Sequence, residues 1–126
     1  MQAQGVEFGS HTLTHPMLSQ VSHEVARREI VESRQELEDR LGTGIAFFCY
    51  PRGDFNAAVK QMVRDEGYRA ACSTLPGVND RRTDLFELRR TYISRHDSAT
   101  EFAKKMAGAY DILQRALVIW SRLRHR

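Results

Sequence analysis

The run Ile45–Tyr50, IAFFCY, is apolar from end to end. It is too short for a helix, and it lacks the alternation of a strand with one wet face. It therefore fits a short strand covered on both sides, the kind found in parallel sheets with helices packed outside. The flanking sequence supplies such helices. Ser22 can cap an amphipathic segment reaching Leu41, with Ala26, Ile30, Ser33, Leu37 and Leu41 on one face. Gly42 stops it. Asn56 caps a second helix, with Val59, Met62 and Val63 inward and Gly67 at its end. Val6–Ser10, Arg69–Thr74 and Leu88–Ser94 are three further strand candidates. Ser98-Ala-Thr-Glu101 is a capping box opening another helix, with Phe102 and Met106 inward. A last helix is expected over Tyr110–Leu123.

Strands alternating with helices at this spacing argue for an α/β fold of parallel strands with outer helices. A closed eight-stranded barrel of that kind needs about 200 residues or more. The 126 residues here supply three or four strand–helix units in one domain, residues 1–126. The expectation is a small open sheet or an incomplete (β/α) barrel. Met1 leads into QAQG, which reads as the last turn of a helix stopped by Gly5, as though the chain were a piece of something longer.

A net charge of +3, spread along the chain, argues against a nucleic-acid partner. The terminal QRALVIWSRLRHR, with four arginines and no acid, reads as a solvated helix face. No apolar run approaches bilayer length, and no signal-peptide pattern opens the chain. Cys49 and Cys72 each lie in an apolar run and read as buried thiols, able to bridge only if their runs are neighbouring strands.

The chemistry-bearing stretch is VEFGSHTLTHPML, Val6–Leu18. His11 follows a strand candidate directly, and chemistry in strand–helix folds gathers at the carboxyl ends of strands. With one helical turn between them, His11 and His15 would project to the same side. Neutral imidazoles so placed suit zinc, nickel or cobalt. Spacing alone leaves open whether they are ligands, or a cap and a surface residue.

Three motifs then carry a resemblance. GSHTLTHPML, the helix containing Glu29-Ile30, and FFCYPRGDFN together resemble the polysaccharide deacetylases, carbohydrate esterase family 4, over about residues 5–75. The family's H-[ST]-x-x-H metal motif is matched by His11, Thr12 and His15. Its aromatic-proline motif is matched by Tyr50-Pro51-Arg52-Gly53. The resemblance implies that His11 and His15 hold a divalent metal, zinc in the first instance, and that Tyr50, Pro51 and Arg52 line a sugar cleft. It implies hydrolysis of N-acetyl groups on an N-acetylhexosamine polysaccharide, with a second carboxylate as general base and a late histidine as acid. Family members often act at the cell envelope.

The sequence departs from the family at its T-F-D-D-type motif, which supplies a metal ligand and the base. Before His11 the only acid is Glu7. ISRHD offers His96 as the late histidine, but His96 and Asp97 also read as loop residues flanking the cap at Ser98. Arg52 reads equally as a contact to a substrate carboxylate or hydroxyl and as a surface arginine. Asp54 is a candidate to reach the metal from the same rim. The expected product is therefore half a site, inactive alone unless upstream sequence or another chain supplies the acids. Alternatives are a catalytically dead sugar- or metal-binding or oligomerisation module, and a structural fragment without activity. An open barrel edge leaves backbone unpaired, so a homo-oligomer covering it is expected, with ALVIW as a contact surface.

Overall fold

The fold is taken from a computed structural model that describes residues 4–108. The helix expected at Tyr110–Leu123 and its ALVIW run lie outside the described residues. Helix α1 covers His23–Leu41, strand β1 Phe47–Cys49, helix α2 Ala57–Asp65, strand β2 Ala70–Cys72 and helix α3 Ala99–Met106. Single turns of 3-10 helix occupy Leu18–Gln20, Pro51–Gly53 and Leu85–Glu87.

β1 and β2 pair in parallel, with Phe47, Phe48 and Cys49 opposite Ala70, Ala71 and Cys72. Two more segments join the sheet through isolated parallel bridges, Ser10 beside Phe48 and Leu88 beside Cys72. The Ser10 N–H donates to the Phe47 carbonyl at 2.8 Å, and the Cys49 N–H donates back to Ser10 at 2.9 Å. On the far side the Leu88 N–H donates to Ala71 at 2.9 Å, and Ser73 donates to Leu88 at 2.8 Å. Four extended segments thus run parallel, in the same order in space as along the chain. The fold is α/β with parallel strands, as expected.

The outer two strands are shorter than expected. Val6–Ser10 and Leu88–Ser94 each contribute one paired residue rather than a full strand. Their extended sequence makes pairing feasible, but a ladder also needs an adjacent backbone in register. Beyond Leu88 the chain leaves the sheet, and Tyr92 and Ile93 are exposed.

The helix ends follow the sequence closely. The Ser22 side chain accepts from the Val25 N–H, the Asn56 side chain from Val59, and Ser98 and Glu101 make a reciprocal capping box. Gly42 closes α1 at φ 65°, its N–H bonded to the Glu38 carbonyl. Ala26, Ile30, Val59, Met62 and Val63 face the sheet and meet Phe48, Tyr50, Tyr68 and Ala71 in one core. Phe48 sits at its centre, its ring 5.4 Å from Tyr50 and 5.3 Å from Tyr68.

Helix α3 departs from expectation. None of its residues is buried, and Phe102 and Met106 are 47% and 66% exposed. Polar contacts hold it instead. Lys105 donates to the Asp97 carboxylate at 2.7 Å and to the Tyr92 carbonyl at 3.1 Å.

Candidate functional site

His11 enters straight from the sheet. Its neighbour Ser10 is pinned by the bridge to β1 and by a buried 2.6 Å hydrogen bond to Ser33 on α1. One residue on, the His11 Nδ1 lies 2.7 Å from the Cys49 carbonyl at the carboxyl end of β1. A carbonyl only accepts, so Nδ1 carries the proton and Nε2 keeps its lone pair. That bond sets both tautomer and ring direction, the usual preparation of a metal-binding imidazole. The His15 ring stands 4.8 Å away, centroid to centroid, at 77°. Both histidines are exposed.

The path between them is not the helical turn that the i, i+4 spacing suggested. It is a bend in which Thr12 and His15 adopt left-handed φ values of 66° and 60°. Pro16 disfavours a right-handed helical conformation at His15. Glu29 supplies the template for the bend. This α1 carboxylate is 3% exposed. It accepts from the Leu13 N–H at 2.8 Å, the Thr14 N–H at 3.0 Å and the Thr14 hydroxyl at 2.6 Å. The Thr12 hydroxyl adds a contact from the His15 N–H at 3.1 Å. Burial pushes the Glu29 carboxyl up, but the Thr14 and Leu13 hydrogen bonds and the Arg28 charge outweigh it, leaving the pKa below the ordinary value.

Glu29 is the residue that pattern reading undervalued, appearing there only as part of a motif. Its signal was available. A lone acid lies within the apolar stripe of α1, between Ala26 and Ile30, and a buried carboxylate needs donors.

The second loop at this rim carries Tyr50–Gly53. Tyr50 does not line an open cleft with its ring. It is 0% exposed, stacks on Phe55 at 4.7 Å, and donates its hydroxyl to the Phe86 carbonyl at 3.0 Å. In the alternation of β1 it shares the helix-facing side with Phe48, which explains the burial. Pro51 is likewise buried. Arg52 alone of the three is exposed, at φ 53°. Among the described residues, the non-glycine residues with positive φ are Thr12, His15 and Arg52, all in these two adjacent loops. Such backbone strain gathers where function demands it.

Asp54 is engaged elsewhere. Its two oxygens accept from the Ser19 N–H at 2.8 Å and the Ser19 hydroxyl at 2.7 Å, tying the Leu18–Gln20 turn to the Pro51–Gly53 turn. His96 lies exposed in the turn before α3, its Nε2 accepting from Arg95 at 3.1 Å. Among the described residues, no hydrogen bond, ion pair or ring contact joins it to His11 or His15. Asp97 serves the loop, accepting from the Ser94 N–H and Lys105. Among the described residues, no group of three His, Cys, Asp or Glu side chains could hold a metal ion. The donor set therefore fits part of a cation's shell: two imidazoles, one with its tautomer fixed.

Comparison with known proteins identifies the family of the chain. A family model described as polysaccharide deacetylase matches residues 1–71. YxkH of Bacillus subtilis (strain 168), named after the polysaccharide deacetylases, is 24% identical over 110 residues, 87% of this chain and 38% of its own. The solved structure of Streptococcus pyogenes deacetylase PplD in complex with acetate superposes with a TM-score of 0.74 at 27% identity. That match covers 79% of this chain and 44% of that one. A polysaccharide deacetylase from Bacillus cereus shares the fold, at TM-score 0.73 and 23% identity, over 82% of this chain and 33% of its own. The chain spans less than half the length of these relatives.

Proposed function

We propose that this chain, which belongs to the polysaccharide deacetylase family, carries the histidine half of a metal-dependent N-deacetylase site acting on an N-acetylhexosamine polysaccharide. The observation that carries the reading is the 2.7 Å bond from His11 Nδ1 to the Cys49 carbonyl, beside a second imidazole 4.8 Å away. His11 and His15 would hold the cation, zinc by ligand preference, with nickel and cobalt as alternatives. Once bound, such an ion acidifies a water molecule and polarises an acetyl carbonyl. Arg52, exposed on the adjoining loop, would contact a sugar hydroxyl or carboxylate. Tyr50 and Pro51 would serve the cleft from beneath, by holding that loop. The remaining ligand and the general base would come from an acidic motif outside this sequence or from another chain. The surroundings of His96 support a loop residue more than a general acid.

The isolated chain is expected to release no measurable acetate from chitooligosaccharides with zinc or cobalt added. It should bind zinc weakly by calorimetry, with that binding lost in His11→Ala. Acetate release that vanishes in His11→Ala would show a self-sufficient site and overturn this reading. Weak zinc binding without turnover also favours the second reading, a metal- or sugar-binding module, for which the absence of a three-donor group among the described residues speaks.

The architecture we propose is part of a (β/α) barrel of the deacetylase type. Its Ser10 and Leu88 margins would leave sheet edge open, and a second copy of the chain is the expected cover. Light scattering after size exclusion is expected to return at least a dimer. A dilute monomer of 14.5 kDa would refute it.

A further inference from the structure

Two arginines are tied to the carboxyl end of the sheet. In the parallel ladder that pairs Leu88 with Cys72, the next amide to reach the Ser73 carbonyl would be that of Arg90. The Arg90 N–H donates instead to the Leu75 carbonyl at 3.0 Å. Its side chain takes that place in the ladder, with Nε donating to the Ser73 carbonyl at 2.7 Å. Ser73 is fully buried, so this end of the guanidinium rests on a fixed anchor. Thr74, the next residue, holds the other arginine by its backbone. The Thr74 hydroxyl donates to the Arg52 carbonyl at 3.2 Å. Both arginines are exposed. They stand at the end of the strands where the Cys49 carbonyl meets His11.

Charge distinguishes this rim from the helix layer. Arg27, Arg34 and Arg40 on α1, and Lys60 and Arg64 on α2, each meet a carboxylate. Among the described residues, no carboxylate pairs with Arg52 or Arg90. The acids of the adjoining loops are engaged otherwise, Glu29 with Leu13 and Thr14, and Asp54 with Ser19. An arginine held through Nε keeps its two Nη groups for a planar anion, and a carboxylate fits that fork bidentately. The hydroxyls and amides of a neutral sugar gain far less from a full positive charge.

We propose that Arg90, together with Arg52, makes this rim selective for an anionic polymer whose sugars carry carboxylates beside their N-acetyl groups. The sugar rests on the deacetylase reading, and the selection by charge rests on the two arginines. Arg90 is then a specificity-determining residue outside the three motifs. The carboxylate belongs either to a uronic acid of the polymer backbone or to a lactyl ether on an amino sugar.

The test is calorimetry on the full chain, freed of metal so that no cation at the histidines can hold the acid. Chitotetraose is compared with a hyaluronan tetrasaccharide, and chitobiose with the disaccharide of N-acetylglucosamine and N-acetylmuramic acid. At least one acidic probe is expected to bind about 10-fold tighter than its neutral counterpart, and which one does so identifies the source of the carboxylate. The advantage should fade in about 0.5 M salt. Arg90→Gln and Arg52→Gln should each cut it to about 3-fold or less. Equal affinity for acidic and neutral probes overturns the proposal and leaves the deacetylase reading standing. Binding of no probe, or an advantage that survives both glutamine variants, also overturns it. A chain that prefers the acidic probe yet binds no zinc would sink the metal site and leave this selection intact. Should Arg90→Gln fail to match the wild-type circular dichroism, competition on the wild-type chain decides. Free glucuronate must displace the acidic probe at concentrations where glucose does not, and equal displacement refutes the selection.

Discussion

Gly53→Ala is expected to destabilise this chain by about 2–5 kcal/mol. Gly53 sits at φ 71°, and a Cβ built there would meet the Thr74 side chain and lie 2.6 Å from the Thr74 backbone nitrogen. The left-handed conformation alone costs a residue with a Cβ about 1–2 kcal/mol. Forced overpacking adds about 1–3 kcal/mol. The turn cannot easily yield, because Tyr50 and Pro51 on its one side are buried and Thr74 on the other follows the buried Ser73, one residue past the end of β2. A loss of about 2–5 kcal/mol is a large share of the stability of a small domain. Gly42→Ala is the matched control. Its φ is 65°, yet nothing lies within 4 Å of the added Cβ, so only the conformational cost of about 1 kcal/mol should appear. Urea unfolding followed by circular dichroism compares the two. Equal midpoints would mean that the Thr74 contact relaxes freely.

The second large effect is expected from Glu29→Gln. A carboxylate offers only acceptors to the Leu13 and Thr14 groups, whereas a carboxamide must turn its NH2 toward at least one donor. Losing charge-assisted bonds in a buried position should cost about 2–3 kcal/mol. The bend that aims His11 and His15 should loosen with it, weakening zinc binding about 10- to 100-fold, as removal of an outer-shell partner does. The pH dependence has a definite sign. The Glu29 pKa is lowered on folding, so its contribution is complete above the unfolded value of about 4.3 and disappears as pH falls through the folded one. The wild-type advantage over Glu29→Gln should be flat at neutral pH and shrink below about pH 4. An advantage that persists undiminished at pH 2 would show that the charge is irrelevant.

Residues whose role is settled by their own neighbours in sequence were readable in advance. The caps at Ser22, Asn56 and Ser98, the stop at Gly42, and the inward faces of α1 and α2 all follow from local chemistry and a 3.6-residue period. The parallel arrangement followed from the apolar IAFFCY run. What escaped depends on distant partners. Phe102 and Met106 have the right period to be buried, but period says nothing about whether a surface exists to receive them. The spacing of His11 and His15 suggested a helical turn because the opposing influence, Glu29, lies a helix away. Tyr50 looked like a cleft aromatic until the alternation of β1 put it on the same side as Phe48. Asp54 looked available to a metal, and Ser19 has already taken both its oxygens.

Because strands adjacent in the sheet are also adjacent in the chain, each pairing closes a loop holding at most one α-helix. Such a topology is modular. A further strand and helix can be appended at either flank without re-threading what is already assembled. A stretch of this architecture can therefore acquire order unit by unit, in the sequence in which a ribosome would deliver it.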